Sequence, residues 1–259
     1  MYTFEHPATE QTGALTDYRY IGSDPYNYVT FNNELWRIIG VFTVEDENGK
    51  KEQRIKIVKN EVLSSIMPWN SISPYENEWP VATLNTYLNG DYFDLLDVKS
   101  KGMVADATYY LGGRAYSGNP PFGTTEDMYA WERGTIVYSG RSTSWNGKIA
   151  LIYPSDYTYT YALGVDNTCY TDGNKCSSSQ GGAPINGWLY TINSNNAQWF
   201  LSPHSDYSNR AFVLDKSGIV ARDYLGYSDS VRPTLYLSSS VKIIFGTGES
   251  DDPYQLLLN

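Results

Sequence analysis

Between Tyr28 and Asn60 the chain alternates apolar and polar positions, the pattern of strands with one buried face. YVTFNNELWRIIGVF (28–42) reads as two strand halves around Asn32-Asn33, a pair suited to a tight hairpin turn. After the charged turn EDENGKKEQ, RIKIVKN (54–60) reads as a third strand. The period then changes. In WPVATLNTYLNGDYFDLL (79–96), Val81, Leu84, Tyr87 and Leu88 recur at helical spacing, and Asn89-Gly90 supplies a stop. VKSKGMVADATYYLGG (98–113) reads as a short helix and a strand. TTEDMYAWERG (124–134) reads as a capped helix: Thr124 or Thr125 caps it, acids fill its first turn and Gly134 ends it.

Strand-length apolar runs dominate the remainder. GKIALIYPSDY (147–157) is one, stopped by its proline, and WLYTIN, QWFLSP, AFVLDKSGIV and RPTLYLSSSVKIIFG follow. Residues 1–19 read as a polar leader with little to bury, and residues 20–259 as a single domain, since no linker or solenoid-period repeat interrupts them. Helices early and crowded strands late predict an α+β chain rather than a parallel α/β sheet.

At 259 residues the chain has length enough for a substantial core. Its net charge of −10 argues against nucleic acid or an anionic membrane as partner. The densest basic stretch, GKKEQRIKIVK (49–59), is interleaved with acids. No apolar run has the length of a membrane span, so this region is not expected to insert directly into a bilayer. MYTFEHPATEQTG lacks the basic start and apolar run of a signal peptide, so an exported protein would need a preceding export or anchoring segment. Tyrosine is unusually abundant, 24 against 8 phenylalanines. A flat apolar ring with a polar tip suits half-exposed sheet faces and contact surfaces alike.

Cys169 and Cys176, in CYTDGNKC, are the only cysteines. A disulfide between them would close a short turn within the irregular, polar 164–187 stretch, and it places the chain in an oxidising, extracellular setting. Two sulfurs without a nearby histidine cannot fill a zinc shell. Only His6 and His204 exist. His204 has Ser202, Ser205 and Asp206 beside it, but sequence neighbours cannot assemble a triad, and His204 reads as an exposed loop residue. GTGESDD (246–252) places acids where a phosphate loop needs donors. No catalytic residue, metal ligand or cofactor is expected.

Segment 202–230, SPHSDYSNRAFVLDKSGIVARDYLGYSDS, carries the strongest signal. A hairpin turning at Asp215-Lys216-Ser217-Gly218 would bring SDYSN and RDYLGYSD to one end. Tyr207, Tyr224 and Tyr227 would then stand among Ser, Asp and Asn, the mixture used by adaptable contact loops. In the following SDSVRPTLYL, Pro233 lacks an amide donor and belongs at the first residues or edge of a strand. Arg232 reads as an anchor whose fork pairs with a carboxylate or with loop carbonyls.

Taken in order, NELWRIIGVF, WPVATLNTYLNGDYF, GKIALIYPSDY, WFLSP, AFVLDKSGIV, SDSVRPTLYLSSSVKI and DPYQL resemble a group of bacterial extracellular proteins of unknown function, many with a prepilin-like amino terminus. The pattern is also similar to the C-type lectin-like fold, in the branch with formylglycine-generating enzymes and the variable proteins of diversity-generating retroelements. The resemblance covers roughly residues 20–257. It implies a C-type lectin-like α+β fold with short helices in the first half and a crowded set of short, mainly antiparallel strands.

In the diversified branch, ligand-contacting residues precede the final strand. By position these are Ser205, Asp206, Tyr207, Ser208, Asn209, Arg222, Asp223, Tyr224, Tyr227, Ser228 and Asp229. The enzyme branch fits less well, because its reactive cysteine pair lies near the chain end and Cys169 and Cys176 do not. PWNS (68–71) and SWNG (144–147) lack the acid that calcium-dependent lectins use. The expected function is therefore an extracellular, adhesin-like binding domain for an unknown protein or carbohydrate at a cell surface. A structural pilus subunit packed against other subunits, and a formylglycine-type oxidase, are the alternatives.

Overall fold

The central sheet has seven strands, and the first two come from the segment expected to be a polar leader. In this computed structural model, which describes residues 1–46, 48–113, 123–160, 187–190, 196–216, 218 and 220–259 and the backbone of 168–169, β1 (Tyr2–His6) pairs with β2 (Leu15–Arg19). The leader expectation failed because its inward positions are polar: His6, Asp17 and Arg19 are all buried. A polarity pattern alone reads such a segment as solvent-facing.

Asn32 and Asn33 hold left-handed backbone, φ 54° and 57°, which asparagine tolerates better than most residues. Their turn folds β3 (Tyr28–Phe31) onto β4 (Glu34–Glu45), as the hairpin signal predicts. β4 pairs along its length with β5 (Lys51–Lys59), with a register shift between Ile38 and Gly40. The sheet order runs β1, β2, β4, β5, then strand Pro233–Tyr236, then strand Ile149–Leu151, with β3 added on β4. All these pairings are antiparallel.

A second sheet of three antiparallel strands, Gln198–Pro203, Arg210–Leu214 and Val220–Tyr224, contains the predicted hairpin. Gly218 donates its amide to the Asp215 carbonyl at 3.0 Å and takes φ 78°, so the turn needs a residue free of Cβ strain there. The whole of strand Gln198–Pro203 is buried. Trp36, Trp69, Trp79 and Trp199 are fully buried in the core. Two of them also tie segments together: Trp69 Nε1 donates to the Phe200 carbonyl at 3.2 Å, and Trp199 Nε1 to that of Met67 at 2.8 Å.

The expected α+β class is corrected: 39% of the described residues are strand and 15% helix, arranged as several antiparallel sheets, which makes it a mainly β protein. Each predicted helix is shorter than its periodic stretch. Residues 79–96 divide into a 3-10 turn Trp79–Val81, helix Thr83–Asn89 and helix Asp91–Asp94. Gly90, with φ −111° and ψ −102°, breaks the last two apart. Helix Thr125–Glu132 has Thr124 and Asp127 in a reciprocal capping box. Pro154 ends the strand Ile149–Leu151 region by opening a short helix, Pro154–Thr158, where its missing amide is harmless. No helix among the described residues is long and apolar enough to cross a membrane.

Candidate functional site

The 205–209 segment connects strands Gln198–Pro203 and Arg210–Leu214, and the hairpin register sets Arg210 opposite Tyr224. The Leu225 amide donates to the Asn209 carbonyl at 3.1 Å. These pairings bring the two polar clusters to one end of the hairpin. Asp206 and Tyr207 are exposed, and Ser205, Ser208 and Asn209 are half-buried. Arg222, Asp223 and Tyr224 are half-buried on strand Val220–Tyr224, while Tyr227 and Ser228 are exposed.

Asp229 does not join this surface. It is buried in the two-residue strand Ser228–Asp229, opposite Met67. Its Oδ2 has no hydrogen-bond partner. Burial, with the nearby Asp223 charge adding to it, pushes its carboxyl up to about 6.

Two aromatic groups define the surface. Tyr75, Tyr224 and Tyr227 form a ladder of tilted and edge-on rings, with centroids 5.0 and 5.5 Å apart. Tyr207 lies under two guanidinium groups, Arg210 at 5.2 Å and Arg222 at 5.3 Å from its ring, and packs edge-on against His204 at 4.9 Å. Tyr227 is 60% and Tyr207 41% exposed, so large faces of both rings remain available to a partner.

Three residues that build this surface were missed or misread from sequence. Asn77 is buried, and its Nδ2 donates to the carbonyls of His204 at 2.7 Å, Tyr207 at 3.0 Å and Arg210 at 3.1 Å. Its own amide donates to the Ser208 carbonyl at 2.7 Å. One side chain thus fixes the loop that carries Tyr207. Tyr75 arrives on a turn held by Asn70, whose Nδ2 donates to the Glu76 carbonyl at 2.8 Å. The sequence signal for both lies in the turn-forming SISPYEN, but nothing there indicates a distant partner.

His204, read as an exposed loop residue, is 1% exposed and stacks on Phe212 at 5.5 Å. Burial, helped by Arg222, lowers it to about 4, and its neutral ring accepts the Asp206 amide at Nδ1 over 3.0 Å. Its ring is part of the floor beneath Tyr207. That packing is why polarity misplaced it.

Arg232 is buried and donates to main-chain carbonyls alone among its hydrogen bonds: Lys59 through Nε at 2.8 Å, Leu189 through Nη1 at 3.1 Å and Asn60 through Nη2. Burial lowers its guanidinium to about 10. The segments it ties are the end of β5 and residue 189, not the tyrosine-bearing loop. Pro233 is the first residue of its strand, opposite Leu151. For the expected disulfide, Cys176 and the Cys169 side chain lie outside the described residues.

A second polar group, wholly unexpected from sequence, lies under the central sheet. Asp17 accepts from Arg19 Nη2 at 2.9 Å and lies 3.0 Å from His6 Nε2. Asp156 accepts from Arg19 Nη1 at 3.2 Å and Lys56 Nζ at 2.5 Å. Glu132 accepts the Ser155 hydroxyl at 2.5 Å and the Ser155 amide at 2.8 Å, with Arg133 Nη1 at 3.4 Å. All eight of these side chains are buried. Burial raises Glu132 to about 7 despite Arg133 and Ser155. Among the described residues no group of His, Cys, Asp and Glu is placed to hold a metal ion.

Comparison of the chain with protein families, with curated proteins and with solved structures finds no match.

Proposed function

We propose that this is an extracellular, adhesin-like binding domain whose contact surface is centred on Tyr207, Tyr224 and Tyr227. The observation that supports it most is a pair of widely exposed tyrosine rings held on a rigid base: Tyr227 on a ring ladder, Tyr207 on a loop pinned by Asn77. Rigid aromatics give contact area at low entropic loss, and the surrounding Asp, Ser, Asn and Arg groups offer adaptable hydrogen bonds. The partner class is a protein or carbohydrate at a cell surface.

The test is capture of immobilised glycans and extracellular-matrix proteins by the parent and by a Tyr207→Ala/Tyr224→Ala/Tyr227→Ala variant. The parent is expected to capture at least one of these probes, and the variant to lose that capture at least tenfold while melting cooperatively. Undiminished capture by the folded variant, or no capture by the parent, overturns the assignment.

A further inference from the structure

The buried ionic group contains a pair of side chains suited to covalent closure. Lys56 on β5 and Asp156 on helix Pro154–Thr158 are 1% and 2% exposed, and Nζ lies 2.5 Å from Oδ2. They are 100 residues apart in sequence. An ammonium carries three N–H donors. Here one meets Asp156, and the other close neighbours are ring faces: Tyr153 at 4.6 Å, Tyr236 at 5.3 Å and Phe42 at 5.6 Å. Ring faces attract a cation, but they do not replace the hydrogen bonds that water gives the remaining N–H groups of a strongly hydrated ammonium. A secondary amide nitrogen has a single N–H and no charge, so the same surroundings suit it better.

We propose that Lys56 and Asp156 are joined by an intramolecular isopeptide bond. The ammonium passes a proton to the carboxylate within the pair, and neutral Nζ attacks Cγ to form the N–C bond. One C–O bond then breaks, and the oxygen leaves with the two protons given up by nitrogen as one water. No oxidant, reductant or cofactor enters the balance.

The neighbouring groups fit each step. Burial pulls the Lys56 amine down toward its nucleophilic form, against the pull of Asp156. Burial also raises the Asp156 carboxyl, and Lys56 and Arg19 together outweigh that and hold it low. The Lys56 part of that hold disappears once the amine gives up its proton. Arg19 Nη1, at 3.2 Å from Oδ1, is a donor in place for the oxyanion of the tetrahedral intermediate, and the Tyr153 amide, at 3.0 Å from Oδ2, is one for the oxygen that departs. Glu132, raised to about 7 by burial, feels the Asp156 charge while its oxygens are held by Ser155 and Arg133.

Charge balance also survives the reaction. Arg19, Lys56 and Arg133 face Asp17, Asp156 and Glu132 before closure, and Arg19 and Arg133 face Asp17 and Glu132 after it. One cation and one anion leave a desolvated site together.

The experiment is mass spectrometry of the reduced, denatured chain, with protease mapping. The expected parent mass is below the sequence mass by one water beyond any terminal processing, with a branched fragment joining the Lys56 peptide to the Asp156 peptide. Lys56→Ala and Asp156→Ala are expected at their full masses. If either variant fails to fold, the parent's fragments still decide. A parent chain at full mass, an unlinked Lys56 peptide, or a water loss that maps elsewhere overturns the proposal.

Discussion

Asn77→Ala isolates the contribution of one side chain to the order of the Tyr207 loop. The two amide hydrogens of Asn77 are shared among three carbonyls, at 2.7, 3.0 and 3.1 Å. A neutral hydrogen bond contributes about 1 kcal/mol net, and a buried group stranded without a partner is worth about 1–3 kcal/mol. The Arg210 carbonyl keeps the His204 amide at 3.1 Å, so it is not stranded. Two hydrogen bonds lost, with one carbonyl partly stranded, give a destabilisation of about 2–3 kcal/mol. Urea unfolding should show this as a lower midpoint at unchanged slope. The loop 204–210 should also lose amide-exchange protection before the rest of the second sheet does. A loss below about 0.5 kcal/mol, the scale of an ordinary surface substitution, would mean the loop holds its shape without Asn77.

The pH dependence of stability should separate His204 from Asp229. His204 is lowered from 6.5 to about 4, so unfolding takes up a proton between those values. The stability of the parent relative to His204→Gln should therefore rise as pH goes from about 4 to 6.5. Asp229 is raised from 3.8 to about 6, which has the opposite sign, and the parent should lose ground to Asp229→Asn over that interval. Denaturant midpoints of the three proteins at several pH values check both slopes, and equal slopes refute the burial argument. At Gly40, a Cβ would overlap the Tyr18 carbonyl oxygen across the β2–β4 contact. Gly40→Ala should release β1 and β2 from the sheet, seen as selective loss of exchange protection over residues 2–19; retained protection there would refute the close approach.

How much could be read from sequence depended on whether a signal was local. The Asn32-Asn33 turn, the capping box of Thr124 and Asp127, and the Asp215–Gly218 hairpin each act within a few residues, and their spacing exposes them. The same hairpin logic set the 205–209 cluster and the 222–229 cluster at one end of the hairpin, because register follows from the turn. The remainder depends on partners far apart in sequence. Asn77 lies 127 residues from His204, and Lys56 lies 100 from Asp156. Polar residues with distant buried partners look solvent-exposed until the partner is known, which is why β1 and β2 were misjudged; His204 was misjudged because its ring packs against Tyr207 and Phe212. The helix content was overestimated for a related reason. Apolar spacing at 79–96 marks residues that face the core, but Gly90 limits how far any one helix can extend.

The strand order has a consequence for how the chain comes to be folded. Strand Pro233–Tyr236 sits between β5 and strand Ile149–Leu151, paired to both. As the polypeptide emerges in order from the ribosome, β1 to β5 and residues 149–151 appear long before their central neighbour. Until residue 236 is free, two sheet edges face an empty slot, and edges of that kind recruit foreign strands. Completion of the central sheet is thus a late event by topology. A nascent chain of this protein would stay loosely held, and open to chaperones, until strand Pro233–Tyr236 has emerged.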